Sequence, residues 1–248
     1  SYCESENYKG WDPYDGLNSK IFQAFPFKHW DFARLAWIQG FKRSPINFRR
    51  LLLVPKEHNA KGVALFLLGY CKLYKLAETG CTAFGTKVAL LDKIHDVTKL
   101  LLSLRSKGYA GSCWGYNFDW QARRLFLFPK HTPTVVATCF SVEALLASYE
   151  ITKDATVLTE TLSAADFVVN NLSRTPHGKG IIFSYSIMSG NNTVVNASLL
   201  GAKILSYSYK YTKNKMHADL AKQAIQAACD LQEEDGSWIY GLLPVQSW

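Results

Sequence analysis

Carboxylates set among aromatic rings are the residues in this chain best suited to chemistry on a sugar. Trp11-Asp12-Pro13-Tyr14-Asp15-Gly16-Leu17-Asn18 forms a turn-rich leader, and Gly115-Tyr116-Asn117-Phe118-Asp119-Trp120-Gln121 places a carboxylate between two large rings. Flat aromatic faces stack on the C–H face of a saccharide, while carboxylates and amides bond its hydroxyls. Glycoside cleavage needs one acid at the leaving oxygen and one base or nucleophile across the ring. Asp119 paired with Asp12 or Asp15 is therefore the expected catalytic pair, with Asp119 partly desolvated by Phe118 and Trp120. Asp12 before Pro13 and Asp15 before Gly16 also have the plainer reading of turn residues.

His131 closes Phe128-Pro129-Lys130-His131 just ahead of an apolar run, where it is placed to act as a base or to bond an anionic substrate. Lys130 and the helix start at Thr132 to Thr134 would favour an anion, although an N-cap is the commoner role for such residues. The remaining expected sugar contacts are Trp11, Tyr14, Asn18, Trp114, Tyr116, Asn117, Trp120, Tyr185, Asn196, Trp238 and Tyr240.

Internal repetition supplies the elements that must position these groups. Thr134-Val135-Val136 recurs as Thr193-Val194-Val195, and Ser148-Tyr149 with Thr152-Lys153-Asp154 recurs as Ser208-Tyr209 with Thr212-Lys213-Asn214, a period of 59 to 60 residues. Leu158, Leu162, Ala165 and Val169 then match Leu220, Ala224, Ala227 and Leu231 in 4-3-4 steps, the spacing of one helix face. Each unit reads as helix, tight polar turn, helix, followed by an aromatic-x-Tyr triplet: Trp114-Gly115-Tyr116, Phe183-Ser184-Tyr185 and Trp238-Ile239-Tyr240. A weaker copy runs from Lys61 to Lys75, with its partner on Leu91, Ile94, Val97, Leu101 and Leu104. Asp31 to Gln39 and Ile46 to Leu53 read as further helix, and no alternating strand pattern competes.

The fold expected is all-α, a single domain over 1–248: an (α/α)6-type toroid of helical hairpins with the long loops 108–133 and 174–192 gathered on one rim. About six hairpins close such a ring and roughly three and a half are legible, so the toroid is expected to be incomplete at its C-terminal end. In Gln232-Glu233-Glu234-Asp235-Gly236-Ser237-Trp238 the Q-x-x-x-G-x-W pattern resembles the helix-tying motif of terpene cyclases, and only that structural role is expected of it.

Composition narrows the partners. The six cysteines stand singly, with no metal-ligand spacing, so no metal and no cofactor are expected, and a reduced, cytoplasmic setting is. No run of apolar residues is long and unbroken enough to suggest a membrane span. A net charge of +8 favours anions, but the basic residues are scattered, with only short pairs such as Arg49-Arg50 and Arg123-Arg124. No zinc-finger or RNP pattern accompanies them, so an acidic polysaccharide or oligosaccharide is expected rather than nucleic acid.

The leader, the segment Cys113 to Gln121 and Thr132-Pro133-Thr134-Val135-Val136 together resemble the bacterial polysaccharide biosynthesis family labelled VpsJ. That resemblance implies a six-hairpin-glycosidase-like fold, a setting in exopolysaccharide or capsule synthesis, and other proteins of that synthesis as partners. It implies no particular catalytic residues. A hydrolase or lyase is one expectation, and a non-catalytic glycan-binding or scaffolding module is the other.

Overall fold

The structure, a computed structural model, describes residues 2–121 and 127–244, so the Arg123-Arg124 pair lies outside the described residues. The chain is mostly helical: α1 (Tyr2–Ser5), α2 (Lys20–Ala24), α3 (Asp31–Arg43), α4 (Ala60–Glu78), α5 (Lys87–Ser103), α6 (Val135–Thr152), α7 (Ala155–Leu162), α8 (Ala164–Asn170), α9 (Val195–Thr212) and α10 (Lys215–Asp230). Two short antiparallel hairpins join them, β1 (Trp120–Gln121) with β2 (Leu127–Phe128) and β3 (Arg174–His177) with β4 (Gly180–Phe183). These hairpins lie inside the two long loops, where no strand was expected. Ile46 to Leu53 forms turns rather than the expected helix, with Leu51 and Leu53 left exposed.

Three successive helical hairpins make up the main core: α4 with α5, α6 with the broken α7 and α8, and α9 with α10. The first helices are neighbours, with α6 packed between α4 and α9, while α5 and α8 each lean on the following first helix. The polar turns form as their residues dictate. Lys153 and Lys213 take left-handed conformations at φ 57° and 58°, and Asp154 and Asn214 cap the helices that follow. The structural period is 60 residues, α6 beginning at Val135 and α9 at Val195. The Thr-Val-Val match is thus one residue out of register, and Asn196 corresponds to Val136.

Helix α6 is buried on most of its circumference, with Val135, Ala137, Ala144 and Leu145 all at 0% exposure. Each fully buried leucine-sized side chain contributes roughly 2 to 3 kcal/mol. The same helix is apolar and long enough to cross a membrane by length and composition, yet its faces are occupied by α4 and α9. Glu143 on α6 bonds Lys203 on α9 at 2.8 Å, so equivalent positions in adjacent units carry opposite charges. The second helix of the second hairpin breaks at Ser163, where the 108–112 loop docks. Ser112 N bonds Ser163 Oγ at 3.0 Å, and a Cβ on Gly111 would lie 1.9 Å from the Ser163 carbonyl.

Candidate functional site

The aromatic-x-Tyr triplets share one end of the helical array. Thr134 N, at the start of α6, donates to Trp114 O at 3.0 Å, and Val135 N donates to Tyr185 O at 2.9 Å. Val195 N, at the start of α9, donates to Tyr240 O at 3.1 Å. Backbone bridges between Gly115 and Pro133, Thr134 and Ser186, and Val194 and Gly241 continue the same stitching. Gly115 permits the closest of these crossings, since a Cβ there would sit 2.2 Å from Thr132 O.

Repetition thereby brings the triplet tyrosines together. The Tyr116 and Tyr185 hydroxyls are 3.2 Å apart, and Phe118 stacks on Tyr116 with centroids 5.4 Å apart. Burial pushes the Tyr116, Tyr185 and Tyr240 phenols above their ordinary range; Tyr116 adds to the rise at Tyr185 and Tyr240, whereas the Tyr185 hydroxyl partly offsets the rise at Tyr116. The Asp12 carboxylate is near enough to add to the rise at Tyr116.

Asp12 itself lines a cleft of about 400 Å³ formed by the leader, the segment before α4 and the long loop. Its Oδ1 accepts from Tyr14 N at 3.0 Å and its Oδ2 from Asn59 Nδ2 at 3.2 Å. Desolvation raises its pKa, partly offset by the Tyr14 amide and by Arg49. Glu57, Asn59 and Lys61 line the same cleft, as do the rings of Tyr8, Trp11 and Phe66. Glu57 Oε2 accepts from Asn18 Nδ2 at 3.3 Å, and that amide also donates to Asn117 O at 2.8 Å. Asn117 is 6% exposed and its buried Oδ1 has no hydrogen-bond partner among the described residues, an unanswered acceptor on a residue that lines the cleft.

The other expected site residues are distributed differently. Asp15 is 2% exposed and holds Arg49 Nε at 2.8 Å and Asp12 N at 2.9 Å, so it braces the leader. Asp119 Oδ1 accepts from Lys130 N at 2.8 Å, closing the loop beside β1, and neither residue lines the Asp12 cleft. Trp114, expected as a sugar platform, is instead a core residue at 0% exposure whose Nε1 donates to Leu101 O. Tyr14 and Trp120 pack edge to face within a second apolar cluster around Leu17, Phe22 and Ile38. Trp11 is half-buried, with Nε1 bonded to Val54 O at 3.0 Å and Lys56 Nζ 5.1 Å from its ring. Trp238 bonds Ala228 O, and Gln232 Nε2 bonds Gly236 O, so that motif ties off the end of α10 as expected. Asn196 is exposed on α9.

His131 lines a second cleft of about 340 Å³, which Asn117 shares with the first. No group of three or more His, Cys, Asp or Glu side chains among the described residues is placed to hold a metal ion. Burial pushes the Cys71, Cys113 and Cys139 thiols up to about 12, leaving them as packing residues.

Glu57, Asn59, Lys61 and Tyr8 were not expected in a site. A signal for three of them was present: Asn59 precedes the apolar run that begins at Ala60, the N-cap position occupied at α6 by Thr134. Since the starts of the first helices share an end, the residues around Asn59 belong beside the long loops.

No protein-family model matches the chain, and no curated protein matches its sequence. Two solved structures are similar in fold. One is a sugar epimerase from a ruminal bacterium, with a TM-score of 0.51 and 14% identity over 77% of this chain and 50% of that one. The other is a D-mannose isomerase, with a TM-score of 0.52 and 12% identity over 95% of this chain and 62% of that one. The chain thus spans about half to three-fifths of the length of these neighbours.

Proposed function

We propose that this chain is a carbohydrate-active protein that binds a saccharide in the cleft between the leader and the start of α4, with Asp12 as its acid–base group. The observation that carries this reading is the pairing of Asp12 and Glu57 in one cleft with an unanswered acceptor on Asn117. Aromatic rings of Tyr8, Trp11 and Phe66 supply apolar faces, and Lys61 and Asn59 supply donors. A carboxyl whose pKa is raised by burial holds its proton closer to neutral pH, which suits proton transfer to and from a sugar oxygen or carbon. Asp12 with Glu57 replaces Asp12 with Asp119 as the carboxylate pair of this reading.

The helical hairpins are read as an arc of an α/α toroid, their N-terminal ends forming the rim that carries the cleft. Solved neighbours named as a sugar epimerase and a D-mannose isomerase support a sugar substrate. Epimerisation or isomerisation at a reducing end therefore joins glycoside cleavage among the reactions proposed. An exopolysaccharide setting is supported by the VpsJ resemblance alone.

The test is to incubate the chain with D-mannose, D-glucose and oligosaccharides and to follow the anomeric signals by NMR. Conversion that Asp12→Asn abolishes, with the fold retained, supports the reading. Conversion unaffected by both Asp12→Asn and Glu57→Gln would remove it. Saccharide binding without conversion would favour the glycan-binding module.

A further inference from the structure

The second cleft differs from the first in charge. His58, Arg105, Lys107 and His131 all line it, and no carboxylate does among the described residues. Arg105 is already engaged, pairing with Glu160 and donating to Leu102 O. Lys107 is exposed, and neither its ammonium nor the His131 ring has a partner among the described residues.

His131 is also held in a costly conformation. Its φ of 64° lies in the left-handed region, which costs a residue bearing a Cβ roughly 1 to 2 kcal/mol. Two bonds enforce it: His131 N donates to Tyr116 O at 2.6 Å, and His131 O accepts from Ser106 Oγ at 2.7 Å. The backbone is thus fixed at both ends, and the residue is exposed and lines the basic cleft. Strain of this kind, where the surroundings over-determine it, accompanies ligand-holding positions. Asn117 lines both clefts, so the two lie on either side of this one residue.

We propose that the second cleft is an anion subsite, taking the carboxylate or phosphate group of an acidic saccharide whose ring lies in the first cleft, across Asn117. Lys107 supplies charge and His131 supplies a ring donor to the anion's oxygens, while His58 Nε2 is already committed to Asn7 O at 2.7 Å. The net charge of +8 draws such ligands toward the surface. This inference rests on the proposed sugar cleft and specifies the substrate class for it.

Titration calorimetry on the full chain with mannose, mannuronate, mannose 6-phosphate and inorganic phosphate tests it, repeated with Lys107→Gln/His131→Asn. Asparagine tolerates the left-handed backbone, so the double variant should keep the loop. At low salt, the anionic sugars should bind about tenfold more tightly than mannose. The double variant should lose that advantage while mannose affinity stays the same. Whichever of mannuronate and mannose 6-phosphate binds more tightly identifies the anion's source. Equal binding of mannose and both anionic sugars would overturn the subsite and leave the sugar cleft standing. Inorganic phosphate binding as tightly as mannose 6-phosphate would also overturn it, since the cleft would then hold an anion with no sugar attached. Binding of none of the three sugars would bring down the sugar cleft, and the subsite with it.

Discussion

Asn18 Nδ2 donates to the backbone oxygen of Asn117 at 2.8 Å across 99 positions of chain, and through that bond the leader is fastened to the longest loop. The same amide reaches Glu57 Oε2, so three segments that form the Asp12 cleft meet at one side chain. Asn18→Ala should lower stability by about 1 kcal/mol, a typical net value for such bonds. It should weaken saccharide binding more than that figure implies, because Asn117 and Glu57 lose their common anchor. Chemical denaturation and calorimetry on one sample give both numbers, and an unchanged saccharide affinity would count against the anchor.

Asp12 and Asp15 are neighbours in space with opposite expected behaviours. Asp15→Asn breaks a buried ion pair and leaves Arg49 with an unmatched charge, which should cost about 3 kcal/mol. Asp12→Asn keeps the Tyr14 bond and loses the Asn59 one, so it should cost only about 1 kcal/mol of folding stability while removing saccharide conversion. Comparing the two melting temperatures with wild type checks this, and an equal loss from both would make Asp12 a brace as well.

The pH dependence of that comparison has a definite sign. Burial raises the pKa of Asp12 in the folded state above its value in the unfolded chain. Its contribution is therefore fully present below the unfolded carboxyl value and is lost as pH rises through the higher folded one. Asp12→Asn, which cannot ionise, should gain melting temperature relative to wild type as pH is raised from about 3.5 to 7. A relative gain that instead grows toward acid would contradict the assignment.

Among the tryptophans, Trp114→Ala should cost about 3 to 5 kcal/mol, as large core truncations do. Trp11→Ala should weaken saccharide binding with a smaller stability loss. Urea denaturation midpoints separate them, and a mild Trp114→Ala would deny it the core role.

Much of the fold was legible because helical hairpins write their period directly into the chain. Lys153-Asp154 and Lys213-Asn214 announce a left-handed cap followed by an N-cap, and the aromatic-x-Tyr triplets marked one end of the array, where the structure bonds Tyr185 and Tyr240 to the starts of α6 and α9. The helix expected over Ile46 to Leu53 failed because apolar content without a sustained face does not choose between helix and turn. Trp114 was misread because an aromatic residue in a loop carries no sign of its burial. Its indole is fixed by the Leu101 carbonyl, at the end of another helix. From its neighbours in sequence Asp119 was the stronger carboxylate, Asp12 having also the plainer reading of a turn residue. Only the fold shows that Lys130 N holds one and that Glu57 and Asn59 flank the other.

The most direct measurement is amide chemical-shift mapping of the full chain titrated with D-mannose and with mannuronate. Saturable shifts should cluster on residues 10–12, 57–62 and 117, with Lys107 and His131 joining only for mannuronate. Shifts confined to the opposite end of the hairpins, near Lys153 and Lys213, would contradict a sugar cleft at the start of α4.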